Sequence, residues 1–201
     1  MHVKICGITR VEDGLLAAEL GATALGFVLW PGSPRAEDPF RARTIARNLP
    51  PLVSIVGVFV DQPLDFVRRV ARLVPLDAVQ LHGGESVEYC REAAARVIKA
   101  IAPSEAAHNL SRWPREIVLL LDACDGAQRG GTGRAIDWAM AAKIANDRRT
   151  ILAGGLRADN VARAVASVRP YGIDVSSGVE ARPGIKDPGR LREFFAALAT
   201  G

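Results

Sequence analysis

Long apolar runs are missing from this chain. None approaches the roughly 20 residues that a membrane-spanning helix needs, so no membrane partner is expected. A secretory leader is not expected either, because Lys4 and Arg10 interrupt the first apolar run before it reaches a useful length. Cysteine is scarce. Three thiols cannot all pair, and Cys6, Cys90 and Cys124 lack the spacing of a metal cluster, so neither a disulfide framework nor a metal centre is expected. No GxGxxG follows the first apolar run, which removes the usual signature of a dinucleotide-binding sheet. A basic block is missing too. The formal charge is +4 and the pI is near 9.3, yet the 26 Lys and Arg residues are spread through every segment. Pairs such as Arg68-Arg69 and Arg148-Arg149 read as solvated helix faces or ends, so no nucleic-acid partner is expected, whereas an anionic small molecule suits the balance. These absences point to a cytoplasmic globular protein without a cofactor. A monomer is the default, with a homodimer open.

What is present is a rhythm. Short apolar segments recur at 3–6, 24–29, 54–60, 77–81, 96–101, 116–122, 150–154 and 172–176. Near-continuous apolarity of that length suits parallel strands buried on both faces. Amphipathic stretches of helical period lie between them. From Asp65 to Leu73, one stripe carries Phe66, Val67, Val70 and Leu73 and the other Arg68, Arg69 and Arg72. Residues 158–168 and 188–198 behave similarly, and Thr9 with Glu12 has the spacing of a capping box. Eight strands alternating with about eight helices in 201 residues call for right-handed crossovers and a parallel sheet. The count matches a closed (β/α)8 TIM barrel, at the short end of its length range, and no linker divides the chain. The expected architecture is a single barrel domain over 1–201.

In such a barrel, chemistry sits at the C-terminal ends of the strands. The residues there are Cys6-Gly7, a loop reaching Arg35, Gln80 to Gly83, Asp122, and two glycine-bearing turns, Gly154-Gly155 and Ser176-Ser177-Gly178. The two turns follow the last two strands, where these barrels commonly bind phosphate through backbone N–H groups; tight turns alone would use the same residues. Gly154, Gly155, Ser177 and Gly178 are therefore the candidate phosphate contacts.

Strand parity turns Lys4 and Cys6 into the barrel. A lone cysteine there reads either as a small hydrophobe or as a reactive thiol. Asp122 closes an apolar run and needs solvent or a partner, as a turn residue or as a catalyst. Strands one and six stand far apart around the ring, so Cys6 and Asp122 could bracket a ligand as separate acid and base. Asp174, on the strand that closes against the first, is expected to pair with Lys4. Gln80 and His82 share parity and look into the upper barrel; with Asp174 they are candidate substrate contacts. Arg35 suits a carboxylate clamp, or an ordinary surface charge. Residues 129–133, rich in glycine, are either a loop over the mouth or simply flexible.

An ordered set of short motifs then identifies a likeness. KICGIT (4–9), GFV (26–28), SPR (33–35), GVF (57–59), VQLHG (79–83), LLDA (120–123), GGTG (130–133), DW (137–138), LAGGL (152–156), DVSSGVE (174–180) and PGIKD (183–187) resemble the phosphoribosylanthranilate isomerases along essentially the whole chain. The resemblance implies an Amadori rearrangement in tryptophan biosynthesis, with a phosphorylated small-molecule substrate and neither cofactor nor metal. It implies Asp122 as general acid, opening the furanose ring, and Cys6 as general base, removing the C2 proton. It places the phosphate on Gly154, Gly155, Ser177 and Gly178 and the anthranilate carboxylate on Arg35. On physical grounds, an interior Lys4 two residues from Cys6 would bring the thiol toward neutrality, an effect that pairing with Asp174 reduces. Two local departures stand out. Ala36 follows Arg35 where an aromatic or apolar residue is expected, and Cys124 places a second thiol near Asp122. Cys90 reads as helix packing. The rivals are another ribosyl-phosphate isomerase, which would carry Asp in place of Cys6, an indole-glycerol phosphate synthase, which needs further Lys and Glu groups, and a sugar-phosphate-binding barrel without catalysis.

Overall fold

The computed structural model of the chain describes residues 1–93, 96–123 and 136–199. Eight parallel strands close into a barrel in sequential order: β1 His2–Cys6, β2 Ala24–Val28, β3 Ser54–Phe59, β4 Ala78–Leu81, β5 Val97–Ile101, β6 Val118–Leu121, β7 Thr150–Leu152 and β8 Gly172–Val175. Closure pairs Lys4 with Asp174 in register between β1 and β8. The helices are α1 Val11–Glu19, α2 Pro39–Ala46, α3 Leu64–Leu73, α4 Val87–Ala93, α5 Pro103–Asn109, α6 Trp138–Asp147, α7 Val161–Val168 and α8 Pro188–Ala199.

Alternation along each strand divides the core. Outward residues such as Val3, Ile5, Leu25, Phe27, Phe59, Leu81, Leu119, Leu121 and Ile173 form one large cluster under the helices. Inward residues fill the lumen in two smaller groups. Ala100, Leu120, Ile151 and Ala153 occupy its middle, and Cys6, Val28 and Val58 its upper end, with Trp30 above them. On α3, Val67 and Val70 are buried while Arg69 and Arg72 face solvent, as the stripe requires.

The helix starts show which local signals hold. Asp38 caps α2, accepting from Phe40 N and Arg41 N with Pro39 in the first turn, and Asp137 caps α6 through Ala139 N and Met140 N. The capping box expected at Thr9 and Glu12 does not form. Helix α1 begins after Arg10 with no side-chain cap; Thr9 Oγ1 instead donates to Gly184 O, and Glu12 pairs with Arg10. The hydroxyl donates to the carbonyl of a distant loop instead of accepting from an N–H of its own helix. Arg148 is a second correction. It is buried rather than solvated, its guanidinium donating to the carbonyls of Trp113, Pro114 and Ile117. Outside the lumen, Lys99 on β5 is buried against Glu85 at 2.9 Å, and Glu85 also accepts from Asp61 N and Gly83 N, tying the loops after β3 and β4 together. After β8, a short antiparallel hairpin, β9 Glu180–Arg182 with β10 Ile185–Lys186, turns back under the mouth.

Candidate active site

The C-terminal strand ends converge on one pocket of about 90 Å³, lined by Cys6, Trp30, Arg35, Gln80, His82, Asp122 and Asp174, with Val28, Val58 and Val60 as an apolar wall. Cys6 comes from β1, while Asp122 directly follows β6. A smaller adjoining cavity, about 40 Å³, is lined by Gly154, Gly155, Ser177 and Gly178 and shares Asp122, Asp174 and Ser176 with the first. A larger cavity, about 310 Å³, opens at the opposite end of the barrel, lined by His2, Ala24, Val56 and Ala78. There Asp77 is committed to Ile55 N at 2.7 Å and Lys4 to Asp174, while His2 and Glu116 line its exposed rim.

Around Cys6 the structure depends on glycine. Gly26 lies beside Cys6 in register, and a Cβ there would sit 2.9 Å from Cys6 Sγ and 3.1 Å from Lys4 Nζ. The missing side chain is what lets thiol and ammonium converge in the lumen. Lys4 Nζ donates to Asp174 Oδ1 at 2.9 Å, the pair expected across β1 and β8. Burial pushes the Cys6 thiol above its ordinary range; Lys4 and Lys186 pull it down and Asp174 pushes it up, and burial prevails. Burial alone would lower Lys4, yet Asp174 and Cys6 together hold it above its ordinary value.

Behind the thiol lies a second charged group that the sequence reading did not mark as functional. Lys186 is 1% exposed and donates to Cys6 O at 2.6 Å, to Ser176 O at 3.3 Å and to Glu180 Oε1 at 2.9 Å. Burial outweighs Glu180 and leaves the Lys186 ammonium below its ordinary range. Glu180 also takes the Arg35 guanidinium side-on, from Nε at 3.0 and 3.1 Å and from Nη2 at 2.8 Å. Burial favours the neutral Glu180 acid, but these hydrogen bonds and the Lys186 charge hold the carboxyl below its ordinary value. Gly7, at φ +77°, leaves room for the Arg35 stem: a Cβ would come within 2.8 Å of Arg35 Cδ. The only sequence signal for this group was the run from DVSSGVE to PGIKD, which carried no role for Glu180 or Lys186.

Across the pocket, Asp122 Oδ1 accepts from Ala123 N at 2.8 Å, and Oδ2 lies 3.3 Å from His82 Nε2, close but poorly aligned for a hydrogen bond. Gln80 Nε2 is 2.9 Å from His82 Nδ1. With the amide nitrogen as donor, Nδ1 accepts and the ring proton sits on Nε2, facing Asp122. Gln80 Oε1 and His82 Nε2 are buried without a hydrogen-bond partner among the described residues, so polar capacity remains at the pocket wall.

The two glycine turns differ in cause. Gly154 and Gly155 have φ of +81° and +67°, the left-handed conformation that glycine adopts without cost. Gly178 is needed for proximity, since a Cβ there would meet Leu156 O at 1.9 Å. It therefore joins the loops after β7 and β8 at contact distance, and its glycine has a packing reason apart from any ligand. Cys124 and the 130–133 run lie outside the described residues, as does any part they play at the mouth. Cys90 is buried on α4 in the outer core, and burial pushes its thiol up to about 11.

A closed parallel barrel with a thiol, a carboxyl, a guanidinium and two glycine turns at its C-terminal mouth defines the class: a (β/α)8 barrel with the layout of an enzyme of that fold. Residues 3–197 match the family described as N-(5'-phosphoribosyl)anthranilate (PRA) isomerase. The N-(5'-phosphoribosyl)anthranilate isomerase of Pelobacter propionicus is 49% identical over 97% of this chain and 94% of its own length. Among solved structures, phosphoribosyl anthranilate isomerase from Thermotoga maritima superposes with a TM-score of 0.91 at 42% identity, covering all of both chains. Another such isomerase, 41% identical with a TM-score of 0.87 and full coverage of both chains, was solved with reduced 1-(o-carboxyphenylamino)-1-deoxyribulose 5-phosphate. A further T. maritima structure, 40% identical with a TM-score of 0.87 and full coverage of both chains, shows monomers generated from that dimeric enzyme. The chain belongs to the phosphoribosylanthranilate isomerase family and is an isomerase.

Proposed function

We propose that this isomerase converts N-(5-phosphoribosyl)anthranilate to 1-(2-carboxyphenylamino)-1-deoxyribulose 5-phosphate in tryptophan biosynthesis, with Asp122 as general acid and Cys6 as general base. The observation that carries the assignment of roles is that thiol and carboxyl line a single pocket, from β1 and from the end of β6, beside the two glycine turns. Asp122 gives its proton to the furanose oxygen as the C1–O bond breaks, leaving an open-chain iminium. That cation acidifies the neighbouring C2–H, and Cys6 removes the proton as thiolate to give an enolamine. The proton on sulfur returns to C1, the C2 hydroxyl releases its proton to Asp122, and the ketone forms with both groups restored. No net electron transfer is involved. Gly154, Gly155, Ser177 and Gly178 receive the phosphate through backbone N–H groups. Arg35 meets the aryl carboxylate with the edge that Glu180 leaves free. Gln80 and His82 offer their unpartnered atoms to the sugar, and Asp174 holds Lys4 beside the thiol.

Mixing the protein with freshly generated phosphoribosylanthranilate and following loss of its fluorescence tests the reaction. Cys6→Ala and Asp122→Asn run in parallel, with binding of a phosphorylated analogue as the folding control. Decay in the wild type, lost in both variants while analogue binding survives, is expected. Decay retained in Cys6→Ala would remove Cys6 as the essential base, and no decay in a folded wild type that binds the analogue would refute the assigned reaction. Assembly has two readings: a monomer is the default, and the dimeric T. maritima relative favours a homodimer. Sedimentation at micromolar concentration separates them. No helix among the described residues is long and apolar enough to cross a membrane.

A further inference from the structure

The Arg35 guanidinium has five N–H donors in a rigid fork. Glu180 occupies the Nε edge and one Nη2 proton, and no hydrogen bond among the described residues uses Nη1. The stem lies against Gly7, in the space that a side chain there would fill. Arg35 and Glu180 stand 145 residues apart, with side chains 13% and 4% exposed. Such burial is costly for a surface pairing, and it gives the guanidinium one direction only. Glu180 is itself fixed, because its Oε1 also accepts from Lys186 Nζ at 2.9 Å and from Gly184 N at 3.3 Å. The chain of contacts runs from the β9–β10 hairpin through one carboxylate to a guanidinium lining the pocket.

We propose that Glu180 is a positioning residue, which presents the free edge of Arg35 to the substrate's aryl carboxylate. The proposal rests on the reading of Arg35 given above. Glu180 does not touch substrate. It acts by occupying the side of the fork that faces away from the ligand, so that a second carboxylate finds the remaining donors already oriented and pays little ordering entropy. Glutamine is a selective probe of this arrangement. Its single carbonyl can replace Oε1, keeping Lys186, Gly184 and one Arg35 Nε contact, while its NH2 takes the Oε2 position and confronts the Arg35 Nε and Nη2 donors. The latch then survives, and the second contact that fixes the angle of the fork is lost.

Two inhibitors read the effect: the reduced product, 1-(2-carboxyphenylamino)-1-deoxyribitol 5-phosphate, and its phenylamino counterpart without the aryl carboxylate, each titrated calorimetrically. Glu180→Gln should weaken the carboxylated compound about tenfold and leave the other within about twofold, with KM raised and kcat near wild type. Equal weakening of both compounds would reduce Glu180 to a structural latch, and unchanged affinity for both would also overturn the proposal. Arg35→Ala tests the underlying reading separately. If it preserves the preference for the carboxylated compound, the assignment of Arg35 fails. If it abolishes that preference while Glu180→Gln does not, only the positioning role fails. In the double variant, Glu180→Gln should add nothing to the preference already lost with Arg35. Glu180→Asp, which keeps the charge but shortens the reach, serves if the glutamine variant does not fold. It should weaken the carboxylated compound selectively, and equal or no weakening again counts against the proposal.

Discussion

Replacing Gly26 by alanine tests the geometry of the base directly. The added methyl carbon would stand 2.9 Å from Cys6 Sγ, 3.0 Å from Lys4 Cε and 3.1 Å from Lys4 Nζ. Sulfur and methyl carbon ordinarily stand well beyond 3 Å, so the thiol, the lysine or β2 itself has to move by several tenths of an ångström. Lys4 has little freedom, and the thiol can yield only by turning toward the pocket. Lys4 is tethered to Asp174 at 2.9 Å, and the Cys6 backbone is held by Lys186 through its carbonyl. Overpacking a filled core costs about 1–3 kcal/mol, which for a domain near 200 residues is a fall in Tm of roughly 2–12 °C. Displacement of a reacting group approaching 1 Å costs about 100-fold in rate. The β3 glycine, Gly57, supplies the control. Its added carbon would fall 2.4 Å from Leu76 Cδ1 and 2.9 Å from Phe59 Cε2, an insult at least as close on the outer face of the same sheet. Both variants should lose comparable stability in thermal melts, but only Gly26→Ala should lose kcat by about 100-fold in the fluorescence assay, with Gly57→Ala within about threefold. Wild-type kcat in a Gly26→Ala protein, or equal losses in the two variants, would refute the claim that the lumen face of β2 positions the thiol and its lysine.

The pH profile follows from the direction of the Cys6 shift. The proposed reactive form, a thiolate beside a protonated acid, keeps one proton in the site, so activity falls when that proton leaves. Burial raises Cys6 above the 9.0 of an ordinary thiol, so kcat/KM should stay level through neutrality and decline only above that value. An alkaline decline beginning near pH 7 would contradict a thiol held protonated by burial. Glu180 predicts the acid side of stability. Its folded carboxyl is held below the ordinary 4.5, so its contribution is complete above that value and is lost as pH falls through the lowered one. Denaturant titrations of wild type and Glu180→Gln should therefore differ most above 4.5 and converge as pH falls through the lowered value; a gap that widens in acid would reverse the assigned sign. Gly178→Ala forces a methyl to within 1.9 Å of a backbone carbonyl, so the loops after β7 and β8 must separate. Affinity for inorganic phosphate should drop by about tenfold or more, and unchanged affinity would remove those loops from the phosphate site.

Much of the barrel was legible because its signals are local. Each apolar segment became a strand within a few residues of the expected bounds, and period-two alternation correctly sent Lys4, Cys6, Gln80 and His82 toward the lumen. Closure between the first and last strands then brought Lys4 to Asp174, a pairing that follows from parity and strand order alone. Where a local signal met a stronger distant partner, it failed. Thr9 had the spacing of a helix cap, yet its hydroxyl serves the carbonyl of Gly184, and Arg148 read as a solvated charge, yet it is buried against three carbonyls from the segment before β6.

The chain by itself determined the number and order of the strands, the side of the sheet each residue faces, and which residues arrive at the C-terminal mouth. Only the tertiary structure decided how those residues are held there. Arg35 and Glu180 meet across 145 residues, and Lys186 reaches the carbonyl of Cys6 across 180. Nothing in the spacing of either pair marks them as partners, because strand periodicity reports which way a side chain points and not what arrives opposite it. Their pairing comes from ring closure, which sets the β9–β10 hairpin beneath the loop after β2, and from the cost of leaving a buried charge without a counterion.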